Sequence, residues 1–177
     1  MSSNATRRLV RTAAVLLSLA PLACGGSSGT APTPAIPNLV GNYTGSWSQD
    51  MTMDDQAFPT VACSSTLTVP SQNGNNFYGR ATLAPPCDQG FMAAAQGRGG
   101  VLAISDGQIQ ASGAVAFRFS EDPPLADYSG CRVTAMPAFA GSLAGSTISA
   151  SRMEQYDCTV ANGHRYTLTI RLVATRG

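Results

Sequence analysis

Few side chains in this sequence could carry out chemistry. His164 is the only histidine among the 177 residues. A catalytic histidine needs a nucleophile on one side and an orienting carboxylate on the other. Asp157 is near in sequence, but Asn162-Gly163-His164 reads as the turn before the last strand, which makes His164 a solvated turn residue. The chain has no Gly-x-Ser-x-Gly elbow. Carboxylates gather as Asp50, Asp54 and Asp55, and again as Glu121, Asp122 and Asp127. Such oxygens can hold Ca²⁺, but neither set has the spacing of a calcium loop, and both are expected as solvated loop charges. The five cysteines are Cys24, Cys63, Cys87, Cys131 and Cys158. No two lie two to four residues apart, the usual spacing of zinc ligands. The expectation is a protein that is not an enzyme, with no catalytic residue, no metal and no cofactor.

Charge narrows the partners. Every basic residue is Arg, and charged residues make up only 12% of the chain. Past Cys24, eight arginines face ten acidic residues, a formal charge of −2. That balance gives no electrostatic reason to bind nucleic acid or an anionic membrane surface.

The N-terminus has the layout of an export signal. Arg7, Arg8 and Arg11 precede an apolar stretch from Thr12 to Leu22, and small residues follow. The stretch is about half the ~20 residues of a spanning helix. Leu19-Ala20-Pro21-Leu22-Ala23-Cys24-Gly25-Gly26 resembles the signal of bacterial lipoproteins, with Pro21 where that family prefers Leu. The resemblance implies a signal peptide over residues 1–23 and a Cys24 that carries the lipid, palmitate included. Gly25 in the next position resembles lipoproteins sent on to an outer membrane. Residues 24–38 then form a Gly/Ser/Pro tether, and residues 39–177 form one domain.

Within that domain the period is two. Tyr166, Leu168, Ile170 and Leu172 alternate with polar residues, and Tyr43, Gly45 and Trp47 share a face opposite Thr44, Ser46 and Ser48. Noisier runs cover Cys63 to Val69, Phe77 to Leu83, Phe91 to Gln96, Ile109 to Phe119, Cys131 to Met136 and Thr147 to Met153. Val101 to Ile104 is expected to pair with Ile109 onward through a hairpin turn at Asp106-Gly107. No segment has apolar residues at helical spacing. The fold class is therefore all-β: an antiparallel up-and-down meander of about eight to ten strands. Closing it into a barrel removes exposed edges; a sandwich is the alternative.

With Cys24 assigned to lipid, four cysteines remain, the even number a disulfide framework requires. Asn73-Gly74-Asn75-Asn76 lies midway between Cys63 and Cys87, and Leu143-Ala144-Gly145 midway between Cys131 and Cys158. Residues equidistant from a hairpin turn end up opposite each other. The expected pairs are Cys63–Cys87 and Cys131–Cys158.

Tyr43-Thr44-Gly45-Ser46-Trp47 resembles the Y-x-G-x-W of lipocalins and the G-x-W of avidins, and Ala126-Asp127-Tyr128 is similar to a second lipocalin motif. The resemblance implies a calycin-type barrel in which an arginine near the last strand packs over the tryptophan. Arg176 is the candidate, because it shares parity with Leu168, Ile170 and Leu172, whereas Arg171 belongs to the other face. Phe77, Tyr78, Phe91, Phe117, Phe119 and Phe139 could line a ligand cavity or fill the core. Ala93 to Ala95, Ala111 and Ala114 favour some internal space or mark close packing. The readings are a small apolar ligand in the barrel or, alternatively, a structural or protein/polysaccharide-interaction lipoprotein with a packed core. Replacing Cys24 by Ser is expected to abolish incorporation of labelled palmitate; undiminished labelling would remove the anchor.

Overall fold

The computed structural model describes residues 33–87, 100–120, 127–128, 130–159 and 163–177. The expected export signal with Cys24, most of the expected tether, the Phe91–Gln96 run, Ala93 to Ala95, Glu121, Asp122 and Ala126 lie outside the described residues. Among those described there is no helix.

Eight strands close into a ring: β1 (Gly41–Met53), β3 (Val61–Asn73), β4 (Asn76–Leu83), β5 (Val101–Ile109), β6 (Ala114–Phe117), β9 (Phe139–Ala144), β10 (Thr147–Cys158) and β11 (His164–Arg176). Each pairs antiparallel with the next along this order, and β11 returns to β1, from Tyr43↔Arg176 to Met53↔Tyr166. Short β2 (Gln56–Ala57) pairs with β1, and β7 (Asp127–Tyr128) pairs with β8 (Cys131–Ala135), which extends the β9 side of β10. The architecture is a closed antiparallel meander barrel, as the alternation requires.

The period of two sets what lies inside. Tyr43 and Trp47 on β1, Leu67 and Val69 on β3, and Leu168, Ile170, Leu172 and Ala174 on β11 are all buried. Five aromatic rings fill part of this interior. Phe117 and Phe139, register partners on β6 and β9, stack with centroids 4.9 Å apart. Trp47 tilts against Phe139 at 5.6 Å and Phe119 at 6.2 Å, and Phe77 meets Phe117 edge-on at 6.4 Å. Each such pair is stabilised by about 0.5–1.5 kcal/mol beyond its burial. Tyr78 points the other way and is exposed, and Ala111 sits exposed in a turn; neither shapes the interior.

Two sequence expectations are corrected. Asp106-Gly107 is not a turn. β5 runs through it with a bulge, since the register against β4 shifts between Phe77↔Gly107 and Gly79↔Ile104. The Phe77 ring covers Gly107 where a Cβ would stand, so the glycine serves close approach. The hairpin turn lies three residues later, at Gln110–Gly113, with Gly113 at φ 84°. Arg176 does not pack over Trp47. It pairs in register with Tyr43, four residues from Trp47 and so roughly 13 Å along the strand. Its guanidinium lies 5.2 Å from the Tyr43 ring centroid, and Nη2 donates to Tyr43 Oη at 2.6 Å.

That contact closes one end of the barrel. Arg176 Nη2 also donates to the Asn38 carbonyl at 2.5 Å, Tyr43 Oη donates to the Leu39 carbonyl at 2.8 Å, and Gln72 binds the Leu39 N–H and the Pro37 carbonyl. Leu39 is thereby pinned in the core, fully buried. The chain enters at this end, and the tight turns at Asn73–Asn76, Gln110–Gly113 and Ala144–Thr147 lie here too. At the opposite end β1 leads to β3, β4 to β5, β6 to β9 and β10 to β11.

The disulfides are Cys63–Cys87 and Cys131–Cys158, with sequence separations of 24 and 27. The hairpin argument holds for both. Cys131 and Cys158 are register partners on β8 and β10. Cys87 lies past the end of β4 in a turn closed by its own N–H to the Ala84 carbonyl at 3.1 Å. Replacing either pair by serines is expected to cost about 3.5 kcal/mol, the chain-entropy value for loops of this length. Chemical denaturation checks it; a loss under 1 kcal/mol would show that the loops are already held by the ladders.

Candidate functional site

The inner face of β10 carries chemistry that no sequence motif marks. Its inward positions run Ile148, Ala150, Arg152, Glu154, Tyr156 and Cys158, and all six are buried. Arg152 and Glu154 therefore sit in the interior as neighbours two residues apart on one face. Arg152 Nε lies 2.5 Å from Glu154 Oε1, and Tyr156 Oη donates to Glu154 Oε2. The guanidinium also packs on aromatic faces, 4.6 Å from the Phe139 centroid and 5.8 Å from that of Phe119. Contacts of this kind favour a cation, more strongly when water is excluded.

Register places further polar groups beside them. Arg152 pairs with Ile170 and Ile170 with Gln49; Glu154 pairs with Leu168 and Leu168 with Met51. Gln49 and the ion pair thus share a level of the barrel, on the side of the long connections. Trp47 lies on the next level. Ser65 faces inward from β3, opposite Gly45. Gln49 is 6% exposed and Ser65 3%. Among the described residues, Trp47 Nε1, Gln49 Nε2 and Ser65 Oγ have no hydrogen-bond partner. A buried polar group left so costs about 1–3 kcal/mol, and three such groups stand on the adjoining strands β1 and β3.

On the outer rim, His164 finds a carboxylate that sequence proximity did not indicate. Its Nδ1 bonds to Asp54, 110 residues away, while Asp157 pairs with Arg165, whose Nε donates at 3.0 Å. Asp54 and Asp55 form the two-residue β1–β2 turn with φ of 45° and 69°, the positive pair of a tight hairpin. The turn brings Asp54 to β11, where the Arg165 N–H donates to its carboxylate at 2.9 Å. That donation, with His164 second, holds the Asp54 carboxyl below the usual aspartate value. Asp50 is held low by Thr60 and then Arg171, which does lie on the outer face. These carboxylates are bonded rather than merely solvated, which corrects the expectation for Asp50 and Asp54. Thr52, Asp54, Asp55, Asp157, Arg165 and Thr167 line a polar groove of about 590 Å³ beside them. Among the described residues, no hydroxyl or thiol bonds to the His164 ring, and no group of three His, Cys, Asp or Glu is placed to hold a metal ion.

Glu154→Gln leaves the Arg152 charge buried without its counter-charge. It is expected to destabilise the protein by about 3–5 kcal/mol, seen as a lowered urea midpoint. A change below 1 kcal/mol would mean that other groups carry the charge. For the rim, the sign follows from a lowered folded-state pKa. Asp54 contributes stability above its ordinary value, near 3.8, and loses it as pH falls through the lower folded value. Asp54→Asn should therefore melt below the wild type at neutral pH, and the two curves should converge in strong acid. A gap independent of pH would exclude the charge as its source.

Comparisons with protein-family models, with curated proteins and with solved structures found no match.

Proposed function

We propose that the protein is an exported lipoprotein, anchored through a lipid on Cys24, that serves as a binding module with a lipocalin-like or avidin-like plan. Its barrel takes up a small, mainly apolar ligand through the end opposite the one where the chain enters. One observation carries this reading: the two ends are built differently. The end with tight turns is closed by Leu39 and its Arg176–Tyr43–Gln72 latch. The other end carries the long connections and, inside it, buried polar groups that the chain leaves unpaired. Barrels of about eight strands hold either side chains or one small ligand. The export signal and Gly25 support an outer-membrane location.

A second reading has its own support. The stacked Phe117–Phe139 pair with Trp47, Phe119 and Phe77 makes a dense plug, which favours a packed barrel that serves as a structural or interaction lipoprotein. Native mass spectrometry of the lipoprotein purified from its own membranes separates the two. A noncovalent adduct of small-molecule mass is expected. Bare protein throughout, together with an envelope protein or polysaccharide recovered by pull-down, would replace the first reading with the second.

A further inference from the structure

The geometry points to a specific chemistry for the interior ligand: a small uncharged molecule that presents a hydrogen-bond acceptor, such as a carbonyl oxygen, to the inner wall of β1 and β3. This rests on the binding reading above and narrows it. The wall offers the Trp47 Nε1–H, the Gln49 amide and the Ser65 hydroxyl, all buried and without partners. An indole N–H can only donate, so the complementary group on the ligand must accept. Ser65, Gly45 and Ala174 form one cross-strand row of small residues on the level next to Trp47, whose own row is Cys63 and Leu172.

Charge selects against ions. Arg152 and Glu154 already neutralise each other at 2.5 Å. A carboxylate or an ammonium brought among them would be a third buried charge with no counter-charge, which is strongly unfavourable. A wholly apolar molecule would leave all three donors unpaired in a drier place. A neutral acceptor with an apolar body meets both conditions, its body facing the Trp47, Phe119 and Phe139 rings.

Trp47 is the chain's one tryptophan, so a single indole N–H resonance reports on the site. The ¹⁵N-labelled lipoprotein in detergent micelles would be titrated with cyclohexanone, with methylenecyclohexane as the same-shaped hydrocarbon and with cyclohexanecarboxylate as the anion. Cyclohexanone is expected to move the indole resonance saturably, and the hydrocarbon to bind about tenfold more weakly for want of the hydrogen bond. Ser65→Ala and Gln49→Leu should each weaken the ketone and leave the hydrocarbon unchanged. Equal binding of ketone and hydrocarbon would overturn this inference while keeping the apolar-ligand reading. Preference for the carboxylate would overturn the requirement for a neutral ligand. No response to any of the three would overturn both and leave the donors to buried water.

Discussion

A sheet has two edges, and each unpaired edge offers backbone donors and acceptors to any other chain. In this protein the ladder between β1 and β11 removes both at once. β11 pairs over Tyr166–Arg176 with β1 on one side and over His164–Thr175 with β10 on the other. Closure also fixes what the inward positions enclose, because a strand in a ring cannot slip by one residue without turning its core face outward. The glycines at two ring positions answer to the same constraint. A Cβ on Gly45 would run into the Val173 carbonyl and the Ala174 Cα, and one on Gly141 into the Ser149 carbonyl and the Ala150 Cα. The opposing residues are alanines, so at both places the neighbouring strand passes unusually close.

That fixed interior explains how charge comes to lie in the core. Arg152 and Glu154 follow the parity of Ile148 and Tyr156, and the ring gives them no route to solvent through the wall. Pairing with each other, the Tyr156 hydroxyl and two aromatic faces offset the loss of water. Such an arrangement is rarely the most stable filling for a core of this volume. It lies near the end with the long connections, close to the three buried donors that have no hydrogen-bond partner among the described residues.

Much of the barrel was legible because alternation is a local property. Tyr166 to Leu172 and Tyr43 to Trp47 show their faces without any knowledge of their partners. The turns at Asn73–Asn76 and Gly145 then paired the cysteines correctly. The errors came where a local signal has two structural uses. Asp106-Gly107 suits a hairpin turn and equally suits a bulge under an aromatic ring; only the register with Phe77 decides. Arg176 had the right parity, but parity does not say which ring along the strand it meets. The interior ion pair was readable in principle, since Arg152 and Glu154 continue the alternation of β10. It was hidden by the expectation that charge faces out. Asp54 and His164 are 110 residues apart, and no feature of either neighbourhood announces the other.

Closure by the last strand bears on how the chain reaches this fold. Until residues 164–176 have joined the sheet, β1 and β10 both stand open, each lacking the neighbour that covers it. The pairing of Tyr43 with Arg176 joins the beginning of the ring to its end, and contacts of such separation form late and slowly. The growing sheet is thus an unfinished ribbon, sticky along two borders, until the thirteen residues of β11 take their place between them.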